Sequence, residues 1–281
     1  MSAPEKPTLN CRILTFDSGL GGLTVHREVA RARPDAHHIY VADDAFFPYG
    51  RHGEVELTAR VVPLMSDLIA THQPDLIVIA CNTASTLVLP HLRERFTLPF
   101  VGTVPAIKPA CAQSRSKRVA VLGTLATVNR EYTRTLIRDF AQGCAVDLVG
   151  SANLATLAEA ALHGDSVPDE AIRAEIATCF VDAEGAKTDS IVLACTHYPL
   201  LLDRLRVLAP WPVSWIDPAP AIARRVVDLL GPANGLSPGS ASAYFTSGKT
   251  PSPALAKALA GFGFYGEGAP KRAIDFRPNP P

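Results

Sequence analysis

The sequence predicts an α/β protein built as two similar doubly wound α/β domains, with mostly parallel sheets and the active site in the cleft between them. Three observations lead there. The chain has 281 residues, more than one ordinary domain of roughly 150 residues needs. Short runs of Val, Ile and Leu alternate with longer amphipathic stretches, the signature of βαβ units whose strands are covered on both faces. One strand and the turn after it occur twice.

In chain order, strands are expected at Arg12–Phe16, His38–Ala42, Leu76–Ala80, Phe100–Gly102, Val119–Leu122, Val146–Val149, Ile191–Ala194 and Val213–Ile216. None shows strict polar alternation, as befits buried parallel strands. Helical periodicity marks Glu54–Thr71, Leu154–His163, Asp169–Glu184 and Ala219–Leu230. The last follows Asp217-Pro218, a capping residue and then a proline. The tail from Gly266 to Pro281, with four prolines, reads as irregular.

The repeat is the most telling feature. Asp75-Leu76-Ile77-Val78-Ile79-Ala80-Cys81-Asn82-Thr83 aligns with Asp189-Ser190-Ile191-Val192-Leu193-Ala194-Cys195-Thr196-His197, placing a thiol one step beyond the strand in each copy. A fainter pairing sets Arg12–Asp17 against Arg118–Gly123 at nearly the same offset. Parallel strands resemble one another in general, but matched cysteines do not follow from that. The expected division is residues 1–103 with about 215–281 in the first domain and 104–214 in the second, joined near 101–112 and 205–225.

Composition narrows the function. Lys+Arg and Asp+Glu both number 27, giving zero formal charge. That disfavours a nucleic-acid partner or an anionic membrane surface held by bulk positive charge. No apolar run approaches the roughly 18 residues of a spanning helix, and the N-terminus lacks a signal-peptide core, so a cytoplasmic protein is expected. Six cysteines (11, 81, 111, 144, 179 and 195) have no CxxC spacing, which reads as free thiols and not as a disulfide framework. Cys11, Cys111, Cys144 and Cys179 have no polar motif beside them and read as small buried hydrophobes. The histidines form no HxxxH or HxH pair, so no metal site is expected.

Ligands of open α/β sheets bind beyond the carboxyl ends of the strands, and three polar clusters fall there. They are Asp17-Ser18-Gly19-Leu20-Gly21-Gly22, Cys81-Asn82-Thr83-Ala84-Ser85, and Cys195-Thr196-His197-Tyr198-Pro199. Asp43 and Pro48-Tyr49-Gly50 follow another strand and are placed to close over the same crevice. The glycine cluster lacks both GxGxxG spacing and the GK[ST] of a phosphate loop. It reads as a tight turn whose helix N-terminal amides hold an anion, a small carboxylate as readily as a phosphate. Two like acid–base groups facing each other across a cleft suit inversion at an acidic C–H. One thiolate removes the proton, and the opposite thiol delivers another to the other face.

Taken with Val104-Pro105-Ala106-Ile107-Lys108-Pro109-Ala110, these motifs resemble the glutamate racemase family over about residues 12–235. The resemblance implies cofactor-independent interconversion of L- and D-glutamate, supplying D-glutamate for peptidoglycan, in a homodimer. It implies Cys81 as the base for the D-enantiomer and Cys195 for the L-enantiomer. Asp17, Ser18, Tyr49, Gly50, Asn82, Thr83, Thr196 and His197 are carried over as pocket residues. Three places depart from the family's pattern: Gly123-Thr124-Leu125-Ala126-Thr127-Val128 moves a glycine, Ala42-Asp43-Asp44-Ala45 alters the segment after the second strand, and Glu159, expected to support the histidine, has poorly matching flanks.

Without an electron sink, the site must stabilise charge with fixed donors in a water-poor cleft. Backbone amides with Ser18, Asn82, Thr83, Thr124 and Thr196 are the expected donors, and Lys108 reads as a surface or structural lysine. Asp17 and His197 are expected to hydrogen-bond near Cys81 and Cys195 respectively. The rival readings are an aspartate racemase, a thiol-dependent decarboxylase and a non-catalytic amino-acid-binding protein.

Overall fold

The computed structural model describes residues 11–141, 143–183, 185–233, 238–265 and 271–272. Its strands are β1 (Arg12–Asp17), β2 (His37–Ala42), β3 (Leu76–Ile79), β4 (Phe100–Gly102), β5 (Arg118–Thr124), β6 (Ala145–Ser151), β7 (Asp182–Ala183), β8 (Ala186–Lys187), β9 (Ser190–Ala194), β10 (Ser214–Ile216), β11 (Ala241–Phe245) and β12 (Lys271–Arg272). One sheet runs β12-β11-β2-β1-β3-β4 and the other β10-β9-β5-β6, with parallel pairing throughout both. Read from its second strand, each half has one order: β2-β1-β3-β4 in the first and β6-β5-β9-β10 in the second. The central strand of each half, β1 or β5, lies beside the strand that leads into a cysteine.

The strands run as unbroken apolar stretches because helices cover both faces of each sheet. Leu14, Phe16, Ile77 and Ile79 pack on one face of the first sheet with Leu57, Val61 and Leu64. Ile13, Leu76 and Val78 pack on the other face with Val25, Ile222 and Val226. In the second sheet, Leu122, Ile191 and Leu193 meet Leu154, Ala158 and Leu205. Val119, Val121 and Val192 meet Ile107, Ala110 and Cys111.

Four helices matter for the site: α1 (Leu23–Ala32), α2 (Glu54–His72), α3 (Asn82–Leu87) and α4 (Leu154–His163). The last ends at Gly164 with φ +88°, where glycine adopts the left-handed conformation that closes a helix C-terminus.

Two expectations change. The helix anticipated over Asp169–Glu184 stops at Ile176; a 3-10 turn follows over Ala177–Cys179, and then β7 and β8 pair antiparallel. Gly185, at φ +83°, provides the reversal that a continuous helix would not allow. The first sheet also gains β11 and β12 beyond its four anticipated strands. Ala241-Ser242-Ala243-Tyr244-Phe245 is too rich in small residues to stand out, yet it pairs with β2 along its length. Lys271 and Arg272 extend the sheet, so the tail is not irregular at that point; its other residues lie outside the described residues.

Candidate active site

Both cysteines sit just beyond a strand. Cys81 precedes α3 and Cys195 precedes a 3-10 turn at Tyr198–Leu201. Each is 6% exposed, and both line a single narrow cavity. Ser18, Phe47, Pro48, Tyr49, Gly50, Asn82, Thr83, Thr124, Ala155, Thr196 and His197 complete its wall. The thiols are near enough that charge on Cys195 raises the pKa of Cys81.

Their surroundings differ. Burial pushes the Cys81 thiol up to about 12, and the nearby Asp17 carboxylate adds to the rise; the Ala84 amide and the Ser18 hydroxyl oppose it. Cys81 is therefore protonated at neutral pH. Beside Cys195, the imidazole Nδ1 of His197 lies 3.8 Å from Sγ, and Nε2 lies 2.7 Å from Glu159 Oε1. Burial disfavours the imidazolium, but the hydrogen bonds to Cys195 and Glu159 outweigh it and hold the His197 pKa well above the usual histidine range. A protonated ring donates Nε2–H to the carboxylate and Nδ1–H to the sulfur, and a cation beside a sulfur stabilises negative charge there. The Gly21 amide, 3.2 Å from Nε2, is then a close neighbour and not a donor to that nitrogen.

The glycine cluster is explained by this meeting of the halves. A Cβ at Gly19 would lie 2.2 Å from Glu159 Oε1, and one at Gly21 would lie 2.4 Å from His197 Nδ1. Glycine lets the turn after β1 press against the other half. The anion held by this turn belongs to the protein: Leu20 N–H donates to Glu159 Oε1 at 2.6 Å. Thr24 Oγ1 donates to the Thr196 carbonyl at 3.2 Å, which ties the same turn to the segment after Cys195.

Asp17 is fully buried. It accepts from the Gly19 amide at 3.0 Å and from Thr196 Oγ1 at 3.2 Å. Burial raises its pKa, partly offset by the charge of His197. Its hydrogen bonds thus bridge the two halves instead of reaching Cys81, whose side-chain partner is Ser18. Proximity to Cys81 follows from β1 pairing directly with β3.

These observations match known proteins. The Asp/Glu/hydantoin racemase family profile covers residues 23–226. The chain is 55% identical over 254 residues to the glutamate racemase of Sinorhizobium medicae, covering 89% of this chain and 93% of the relative. It is 52% identical over 266 residues to that of Brucella canis, covering 93% and 94%. A crystal structure of Escherichia coli glutamate racemase with L-glutamate and the activator UDP-MurNAc-Ala superposes with a TM-score of 0.85 at 38% identity, covering 94% of this chain and 98% of that one. The chain belongs to the Asp/Glu/hydantoin racemase family.

Within this racemase family frame, the remaining pocket residues separate by their partners. Both polar atoms of the Asn82 amide are buried without a hydrogen-bond partner among the described residues. Such groups are seldom left bare, so this amide is the clearest candidate for contact with a ligand. Thr124 Oγ1 accepts from the Thr127 amide at 3.2 Å and lies 3.4 Å from Thr83 Oγ1 across the cleft. Tyr49 lines the cavity, its ring packed beside Phe16 and Phe46 and its hydroxyl donating to Asp43 Oδ2 at 2.7 Å. Gly50 packs on Thr124, where a Cβ would lie 3.2 Å from that residue's own.

Phe47 and Ala155 also line the cavity, and sequence reasoning passes over both. Phe47 stands beside Pro48-Tyr49-Gly50, whereas Ala155 carries no signal. Lys108 is exposed, with Nζ 5.6 Å from the centre of the Phe140 ring. The other four cysteines are free thiols away from the cavity. Among the described residues no three His, Cys, Asp or Glu side chains converge to hold a metal ion, and no helix is long and apolar enough to cross a membrane.

Proposed function

We propose that the protein is an isomerase that interconverts L- and D-glutamate with two cysteine bases. The observation that carries this reading is the placement of two buried thiols at matching positions in two halves of like topology, lining one narrow cavity. In the L-to-D direction, the Cys195 thiolate takes the α-proton from one face and becomes a thiol. The Cys81 thiol gives its proton to the carbanion from the opposite face and becomes a thiolate. The surroundings of the two sulfurs fit these roles: Cys81 rests protonated, and the His197 ring lies beside Cys195. In the reverse direction the two thiols exchange roles.

His197 and Glu159 stabilise charge at Cys195, and Ser18 hydrogen-bonds the Cys81 sulfur. The unpartnered Asn82 amide offers Nδ2 to a substrate carboxylate and Oδ1 to the ammonium. Fixed donors in a closed site are the means by which such a carbanion is stabilised. We read the molecule as two lobes, 1–103 with about 215–281 and 104–214, whose sheets meet at this cleft. We further infer a homodimer acting in the cytoplasm and supplying D-glutamate for peptidoglycan.

The test is incubation with pure L- or pure D-glutamate, followed by circular dichroism. Both are expected to reach zero ellipticity. Aspartate, shorter by one methylene, is expected to turn over about tenfold to a hundredfold more slowly in kcat/KM. Comparable turnover of aspartate would favour the aspartate reading. Loss of carbon dioxide from either acid would point to a decarboxylase, and an unchanged signal to a binding protein.

A further inference from the structure

Asp43 lies just after β2 and is fully buried, yet it does not line the cavity. Four hydrogen bonds converge on its carboxylate. Tyr49 Oη donates to Oδ2 at 2.7 Å and Arg60 Nε at 3.0 Å; Arg60 Nη2 donates to Oδ1 at 2.6 Å and Thr246 Oγ1 at 2.6 Å. A buried carboxylate is costly unless its lone pairs are met, and here donors from three elements meet them. Arg60 comes from the first half of α2, Tyr49 from the cavity wall and Thr246 from the residue just after β11.

The geometry points to Asp43, Arg60 and Thr246 as positioning residues that fix the Phe47–Gly50 wall from behind, so that the segment after β11 governs how tightly the cavity holds its substrate. Asp43 holds the Tyr49 hydroxyl, and the Tyr49 ring packs beside Phe16 and Phe46, so the residue between Pro48 and Gly50 is fixed from behind the wall. The wall it anchors makes close contacts across the cleft: Gly50 packs on Thr124, and the Phe47 ring lies 5.4 Å from that of His197. Thr246 is the member most distant in sequence. Its hydroxyl donates to Asp43 while accepting from the Ala45 amide at 3.2 Å, and the next residue's amide, Ser247 N–H, donates to Asp44 Oδ1 at 2.8 Å. These bonds clamp the end of β11 onto the turn that leads into the wall. Thr246 touches neither cysteine nor the cavity, so its effect on substrate passes through Asp43 and Tyr49.

This inference rests on the racemase reading, and the two fail differently. If the parent protein does not racemise glutamate, the reading falls. If the parent is active and the variants match it, only the inference falls. Thr246→Val keeps the side-chain shape and removes the hydroxyl, whereas Thr246→Ser keeps the hydroxyl. The valine variant is expected to raise KM for glutamate roughly fivefold to tenfold, the size of one hydrogen bond's effect. Its kcat should stay within about twofold, the pattern of lost ground-state and transition-state binding alike. The serine variant should restore the parent KM. Tyr49→Phe, which removes another donor to the same carboxylate and leaves the ring in place, gives a second route to the same split. KM values within twofold of the parent in both Thr246→Val and Tyr49→Phe, a loss confined to kcat, or failure of serine to restore KM would each overturn the proposal.

Discussion

Replacing either active-site sulfur with oxygen is expected to lower racemisation by about a thousandfold or more in both directions. Positioned acid–base groups contribute on the order of 10²–10⁴-fold each, and neither half of the inversion proceeds without its group. Cys81→Ser removes the acid for L-glutamate and the base for D-glutamate; Cys195→Ser does the converse. Because overall racemisation uses both groups in each direction, the two variants should be similarly impaired. A decarboxylase, needing one proton donor, would instead leave one variant close to full activity. Both side chains are buried at strand ends, and serine is the smaller residue, so the fold should survive. Reaction progress by circular dichroism, with far-ultraviolet spectra as the control, measures the effect.

The second large effect concerns Glu159. His197 is held well above the usual histidine range by its hydrogen bonds to Cys195 and Glu159, against the opposing pull of burial. Glu159→Gln keeps an oxygen for the Leu20 amide, which donates to Oε1, and removes the charge. The His197 pKa should then fall. Activity that depends on the imidazolium beside Cys195 is lost as pH rises through the His197 pKa, so the alkaline limb of kcat/KM moves to lower pH in the variant. Each unit of displacement is a factor of ten in the protonated fraction on that limb. At a pH above the variant's limb but below the parent's, a loss of about tenfold is expected. Stability follows the same sign. A raised folded-state pKa contributes stability that is fully present below about pH 6.5 and is lost as pH rises through the raised value. The variant should therefore melt lower than the parent in acid and neutral buffer, with the gap narrowing at alkaline pH. A pH–rate profile and thermal melts across the same range check both.

What the sequence reveals, and what it hides, follows from range. The strand ends carrying Asp17, Cys81 and Cys195 are legible because parallel strands announce themselves as local apolar runs and ligand sites lie at their carboxyl ends. The kinship of the halves is legible because the thiol recurs at one register. The meaning of the glycine turn is not. Gly19 and Gly21 need to be glycine because of Glu159 and His197, residues more than a hundred positions away. No local pattern encodes that contact. The partner of Asp17 is hidden for the same reason, since its bond to Thr196 spans the cleft. β11 escapes notice because Ala, Ser, Ala, Tyr and Phe carry little strand signal, and its place is fixed by pairing with β2. The Asp43 hub likewise joins four side chains from separate parts of the chain.

The most direct measurement is deuterium uptake at the α-carbon of each enantiomer in heavy water, by proton NMR, with the two serine variants. If the sulfurs act on opposite faces, Cys195→Ser retains exchange of D-glutamate alone, and Cys81→Ser retains exchange of L-glutamate alone, each without inversion. Uptake into both enantiomers by one variant would show that a lone thiol serves both faces, contrary to a two-base mechanism.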